Sequence, residues 1–205
     1  MIEFGIDTLI DKVGFTDPAS GKIASNKTQR AQTAHIVGGQ DRDGKAFVFE
    51  ALGHTVATDQ IVQTLFQLNR KYGCARWGIE SSAQQNLFVD STIREAVTRR
   101  EPIRIVPVEQ PTSATKEFRI TSIVQHWLHN GFLYVAEDLE DLRRQIERYP
   151  NVKTCDIVDA LASFLVMLRD PFASKHGLAY DQQYKENLNR VLNQNDTVAF
   201  NNRFR

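Results

Sequence analysis

Three carboxylate-bearing segments stand far apart in this chain: Phe15-Thr16-Asp17-Pro18-Ala19-Ser20, Trp77-Gly78-Ile79-Glu80-Ser81-Ser82, and Cys155-Asp156-Ile157-Val158-Asp159-Ala160-Leu161-Ala162. In the first two, the acid sits at or just past the end of an apolar, strand-like run. In the third, the acids open an apolar helical run. Elements that end side by side would gather these acids, and gathered carboxylates repel one another unless cations bind among them. Hard oxygen donors suit Mg²⁺ or Mn²⁺. Each acid also has an ordinary reading: Asp17 before Pro18 as a turn opener, Glu80 as a strand-end charge, Asp156 as a first-turn charge favoured by the helix dipole. Their joint placement is what favours a shared site.

The rest of the chain sets the frame. Its 205 residues, 41% of them hydrophobic, suffice for one well-buried domain. The 25 basic and 25 acidic residues cancel, which argues against a protein that grips nucleic acid by bulk charge and requires any such contact to come from a local basic patch. Cys74 and Cys155 form neither a C-x-x-C pair nor a zinc-type array and read as reduced thiols of a cytosolic protein. Met1 to Ile10 mixes Glu3 and Asp7 into its apolar residues, unlike a signal peptide, and no run reaches membrane-spanning length.

Hydrophobic periodicity predicts a hairpin-led α/β domain. Lys12 to Thr16, Thr33 to Val37 and Ala46 to Leu52 read as three antiparallel strands, the last two joined at Asp41-Arg42-Asp43-Gly44. A helix from Thr58 to Gly73 follows, then a strand from Cys74 to Ile79 that delivers Glu80. Ser82 to Arg99 reads as a helix with Leu87, Phe88, Ile93 and Val97 on its apolar side, leaving Arg99 and Arg100 facing water at its end. A strand at Ile103 to Val108, a helix at Lys116 to Leu128, a short strand at Phe132 to Val135 and helices at Glu137 to Tyr149 and Asp156 to Leu168 complete the domain. In that last helix Ile157, Leu161, Phe164, Leu165 and Leu168 face the core. The domain is expected to span residues 1–170. Residues 171–205 are read as a peripheral helix at Asp181 to Leu192 and a flexible tail.

In such a sheet the first strand lies beside the fourth, which makes Asp17 and Glu80 neighbours. Asp156 and Asp159, at i and i+3, project from one helix face. Two divalent ions bridged by a carboxylate can activate a water and stabilise the departing 3′ oxygen of a phosphodiester. Asp7, in Phe4-Gly5-Ile6-Asp7-Thr8, is a second strand-end acid, but the loop and hairpin that follow Asp17 fit the first position better. Lys116 and Arg119 open a helix at i, i+3 and can meet a phosphate backbone or simply pair with nearby acids. Lys22, Lys27 and Arg30 in the first loop form a second, weaker candidate contact. His35, His54, His126, His129 and His176 show no metal-ligand spacing, and Trp77 and Trp127 read as core.

Taken in order, the Asp17-Pro18-Ala19 start, the Thr33-Ala34-His35-Ile36-Val37-Gly38-Gly39 strand, Trp77-Gly78-Ile79-Glu80, Lys116-Glu117-Phe118-Arg119-Ile120 and the Asp156-Ile157-Val158-Asp159-Ala160-Leu161 ending carry a family likeness. Over roughly Val13 to Leu168 the chain resembles the nuclease domain of the large terminase subunit of tailed bacteriophages, a branch of the RNase H-like (RuvC-like) superfamily. The resemblance implies an RNase H-like mixed sheet flanked by helices and an endonuclease that cuts double-stranded, concatemeric DNA with low sequence specificity. It implies Mg²⁺ or Mn²⁺ as cofactor, two ions in number, with Asp17, Glu80 and Asp156 as metal-binding catalytic acids, Asp159 as an auxiliary ligand, and Lys116 with Arg119 as a DNA contact. Many relatives carry two consecutive aspartates before the last helix; here the first of the pair is Cys155.

By the same resemblance the partners are duplex DNA, the terminase ATPase domain, the portal and the small terminase subunit, the compartment is the host bacterial cytoplasm, and the isolated domain is monomeric. The chain holds no G-x-x-x-x-G-K-S/T phosphate loop, so the ATP-driven part is not within it. Two alternatives stay open at this point. One is another RNase H-like nuclease of the junction-resolvase or transposase type; the other is a packaging interaction module with a degenerate metal site.

Overall fold

The computed structural model describes residues 8–19, 32–81, 86–109 and 115–168. Within these, β1 (Asp11–Asp17), β2 (Thr33–Gln40) and β3 (Ala46–His54) precede α1 (Thr58–Tyr72), β4 (Arg76–Ser81), α2 (Asn86–Arg99) and β5 (Ile105–Glu109). Then come α3 (Lys116–His129), β6 (Leu133–Val135), α4 (Glu140–Arg148) and α5 (Asp156–Met167). The six strands form one sheet in the order β5-β4-β1-β2-β3-β6. β1, β2 and β3 are antiparallel neighbours, whereas β4 runs parallel to both β1 and β5, and β6 runs parallel to β3. The expected fold class and the expected adjacency of first and fourth strands are both present. Among the described residues, no helix is long and apolar enough to cross a membrane.

Strand alternation assigns each side chain to a face. Val13, Phe15, Ala34 and Ile36 pack with Ile157, Leu161, Phe164 and Leu165 of α5 and with residues of α3 and α4. Trp77, Ile79 and Val37 point the other way, onto Ile61, Leu65 and Phe66 of α1 and Phe88 and Val89 of α2. α5 is therefore the central helix of one face. Each of its fully buried apolar side chains contributes roughly 1.5–3 kcal/mol relative to exposure. It packs so closely that a β-carbon on Gly78 would lie 2.2 Å from the Met167 sulfur. Cys155 at its N-cap offers no side-chain bond, and Gln145 of α4 substitutes by accepting from the Val158 N–H at 3.1 Å.

Boundaries differ from the expectation in ways that packing explains. β4 extends through Ser81, so Glu80 lies within the strand, and α4 begins three residues later than expected. The buried stripe of α2 is Phe88, Val89, Thr92 and Ala96, while Ile93 and Val97 are exposed, at 44% and 74%. Thr92 occupies the apolar stripe because its hydroxyl donates to the Phe88 carbonyl at 2.9 Å. Arg99 also departs from expectation: its guanidinium lies 4.7 Å from the Phe66 ring centroid and pairs with Glu95 at 2.7 Å. The helix ends of α1 and α2 then contrast. α1 closes on Gly73 at φ 63°, with its N–H on Asn69 O at 2.8 Å. α2 closes on Arg100 at φ 56°, where a side chain costs about 1 kcal/mol relative to glycine.

Candidate metal and phosphate site

The carboxylates meet at one end of the sheet, on the α5 face. Thr16 of β1 pairs with Ile79 of β4, so Asp17 and Glu80 come next in register, on the side opposite Trp77 and Ile79. Glu80 and Asp17 share a side-chain hydrogen bond. Asp156 opens α5, and its Oδ2 accepts from the Gln32 N–H at 3.1 Å. One turn on, Asp159 is buried, with its side chain 6% exposed. Lys116 and Arg119, from the first turn of α3, reach into this group. The Lys116 ammonium lies 3.1 Å from Asp159 and 3.4 Å from Asp156, and the Arg119 guanidinium is hydrogen-bonded to Asp159. Thr115 caps α3 by accepting from the Phe118 N–H at 3.2 Å, which holds both cations in place.

The electrostatics of the cluster follow from burial and crowding. Burial, then the charges of Glu80, Asp159 and Asp156, hold the Asp17 carboxyl well above the ordinary range, with Lys116 opposing. Glu80 is raised by burial and by Asp159, against Arg119, Lys116 and its bond to Asp17. Burial disfavours the charged Lys116 ammonium, but Asp159, Cys155 and Asp156 outweigh it and hold that pKa above its usual value. Crowded carboxyls whose charged forms are disfavoured by burial and by one another are hard oxygen donors that a divalent cation would neutralise. Among the described residues, no three His, Cys, Asp or Glu side chains are gathered tightly enough to hold a metal ion as they stand. Lys116 and Arg119 supply the positive charge instead.

The expected site residues thus divide by position. Asp17, Glu80, Asp156, Asp159, Lys116 and Arg119 form one connected group. Lys22, Lys27, Arg30 and Asp7 lie outside the described residues, as do residues 110–114 and the segment 169–205. His126 and His129 are exposed on α3, and Trp127 is buried, as expected.

Sequence reasoning missed a buried polar chain beneath the site. The Trp77 Nε1–H donates to Thr16 Oγ1 at 2.9 Å, and Thr16 Oγ1 is 2.9 Å from His35 Nδ1. An indole nitrogen only donates, which leaves the threonine hydroxyl proton for a neutral His35. His35 lies against His54, the rings tilted by 34° with centroids 5.3 Å apart, and burial, reinforced by His54, pushes it down to about 3. The only signal for this chain was the polar Thr16 and His35 at facing positions of two strands.

The His35 shift carries a pH prediction. Between its unfolded value near 6.5 and its folded value of about 3, the unfolded chain binds the extra proton, so stability falls as pH drops through that window. The slope reaches up to about 1.4 kcal/mol per pH unit. Urea unfolding at pH 7 and pH 5 should show a larger loss for the wild type than for His35→Phe. Equal losses would contradict the burial of a neutral imidazole.

No family model matches the chain, and no curated protein matches it in sequence. Solved structures do match. The yeast mitochondrial Holliday junction resolvase Ydc2 superposes with a TM-score of 0.55 at 12% identity, over 87% of this chain and 88% of that one. The nuclease domain of the P22 large terminase gives a TM-score of 0.52 at 13% identity, over 80% and 90%. A mutant nuclease domain of the large terminase subunit of bacterial virus Sf6, with manganese and beta-thujaplicinol, gives 0.51 at 10% identity, over 77% and 89%. Identities this low speak to architecture only. Strand order, strand direction and these superpositions together identify the fold of this chain as RNase H-like α/β, a mixed sheet flanked by helices.

Proposed function

We propose that this chain is a metal-dependent endonuclease acting on double-stranded DNA, of the kind found in the nuclease domain of a phage terminase large subunit. The observation that carries the reading is the convergence of Asp17, Glu80, Asp156 and Asp159 with Lys116 and Arg119 at one end of the sheet. Asp17, Glu80 and Asp156 would hold Mg²⁺ or Mn²⁺, and Asp159 would support them. Bound there, the metal supplies Lewis acidity, making a water nucleophilic at neutral pH and stabilising a departing 3′ oxygen. The protein's own share is placement. Lys116 is half-exposed at the rim and can exchange its carboxylate partners for a phosphate oxygen. Arg119 is more deeply set and holds Asp159.

On this reading the partners are duplex DNA and the ATPase domain, portal and small subunit of a packaging motor. A second reading, a four-way-junction resolvase, is favoured by the superposition on the yeast mitochondrial resolvase, which spans 87% of this chain. Cleavage of linear duplex and of an immobile four-way junction, each with Mn²⁺, Mg²⁺ or EDTA, separates the two. The terminase reading expects metal-dependent cutting of both with little preference. A hundredfold preference for the junction would favour the resolvase. No cutting of either by folded protein, together with no Mn²⁺ uptake in calorimetry, would leave an interaction module.

A further inference from the structure

At the end of the sheet opposite the carboxylates lies an open groove of about 670 Å³ between α2 and the segment leading into β5. Cys74, Ala75 and Ala96 are part of its lining, and burial pushes the Cys74 thiol up to about 12, so this part is neutral and apolar. Ile93 and Val97, one helical turn apart, stand exposed along one wall, and Pro102 and Ile103 form the other. Covering two adjacent apolar side chains on an exposed helix face removes apolar surface from water, which favours docking there. The rim is basic: Arg100 and Arg104 both line the groove, are exposed, and have no carboxylate partner among the described residues. Arg70, by contrast, is neutralised by Glu101 at 3.4 Å.

Arg100 supplies an independent observation. It occupies the left-handed closing position of α2, φ 56°, with its N–H on Val97 O and the Glu101 N–H on Ala96 O, both at 3.1 Å. Glycine is the residue that suits this position, as Gly73 shows at the end of α1. A non-glycine residue in this strained conformation at a groove rim points to use of its side chain.

We infer that this groove is a docking site for an amphipathic helix of a partner protein, one that lays two apolar side chains a turn apart against Ile93 and Val97 and presents carboxylates to Arg100 and Arg104. Helix-in-groove recognition supplies the apolar contacts, and the arginine rim selects for acidic flanks. Cys74 and Ala75 precede β4, whose far end carries Glu80, so an occupant here leaves the carboxylate end of the sheet open. The inference does not depend on the chemistry at that end.

The test uses the full chain and two synthetic helical peptides with leucines at i, i+3, i+4 and i+7, one flanked by glutamates and one by lysines. Fluorescence anisotropy should show the glutamate peptide binding in the tens of micromolar and the lysine peptide at least tenfold weaker. Val97→Asp, at a position 74% exposed, should weaken the glutamate peptide at least tenfold. Arg100→Gly should weaken it three- to tenfold while raising the melting temperature. The inference is overturned if the two peptides bind alike, if neither binds at 1 mM, or if Val97→Asp changes nothing. A lowered melting temperature for Arg100→Gly would likewise overturn it, by showing that the arginine serves the fold. So would displacement of the peptide by a DNA duplex, which would make the rim a phosphate contact, or self-association in sedimentation that Val97→Asp abolishes, which would make the occupant a second copy.

Discussion

Asp17→Asn is expected to abolish metal-dependent DNA cleavage, by at least about 10³-fold, the equivalent of roughly 4 kcal/mol of transition-state stabilisation. It should also raise the melting temperature measured in EDTA. The two effects have one cause. Asp17 is half-buried next to Glu80, Asp159 and Asp156, and its carboxyl is held well above the ordinary range by desolvation first and by those charges second. With the folded value raised, the unfolded chain ionises first, so the contribution of this group to stability is greatest at low pH. It is lost as pH rises from the unfolded value near 4 through the raised one. Asparagine keeps the shape and removes the charge, a relief of about 0.5–2 kcal/mol. Thermal unfolding of both proteins in EDTA at pH 5 and pH 8 should show the gain mainly at pH 8. Mn²⁺ should then raise the melting point of the wild type and leave the variant unmoved. A variant that melts below the wild type at pH 8 would refute the account of the carboxylate cluster, and one that still cuts would remove Asp17 from the metal site.

The second large effect is expected at Arg119. Its side chain is 10% exposed and that of its partner Asp159 is 6% exposed, so this is an interior ion pair. Removing one member of such a pair leaves an uncompensated charge and costs about 3–5 kcal/mol. Lys116, 3.1 Å from the same carboxylate, compensates in part, which places Arg119→Ala at about 2–4 kcal/mol. Lys116→Ala removes the more exposed partner and should cost less than half as much. Asp159→Leu combined with Arg119→Leu removes both charges and should recover most of the loss. Urea unfolding of the three variants and the wild type measures all of this. A cost below about 1 kcal/mol for Arg119→Ala would show that the pair does not anchor α5 to α3.

Much of the fold was legible in the sequence because its signals are local. Short apolar runs rich in β-branched and aromatic residues marked β1 to β3, three- and four-residue spacing marked α1 and α5, and Gly73 closed α1 where expected. The misplaced face of α2 shows where local signals stop. Ile93 and Val97 are more apolar than Thr92 and Ala96, yet the small pair is buried because Thr92 satisfies its own hydroxyl within the helix. Hydropathy ranks residues by what they would gain from burial and not by which ones the neighbouring sheet has room to take.

The candidate site divides in the same way. Residue types and spacing sufficed to nominate Asp17, Glu80, Asp156 and Asp159, since a carboxylate at a strand end or in the first turn of a helix is a local feature. That Lys116 and Arg119 turn inward onto Asp156 and Asp159 is a matter of how α3 packs beside α5, and no spacing within either helix contains it. The Trp77, Thr16 and His35 chain belongs to three strand positions joined only by sheet register. The basic groove joins α2 to the approach to β5 through a helix ending that the sequence marks with arginine instead of glycine. By itself, then, the sequence determined the elements, the hairpin-led order and the acids they carry. The tertiary structure decided which charges share a volume and which side chains lose their water, because desolvation and Coulomb energy depend on distances between segments that the chain brings together only when it folds.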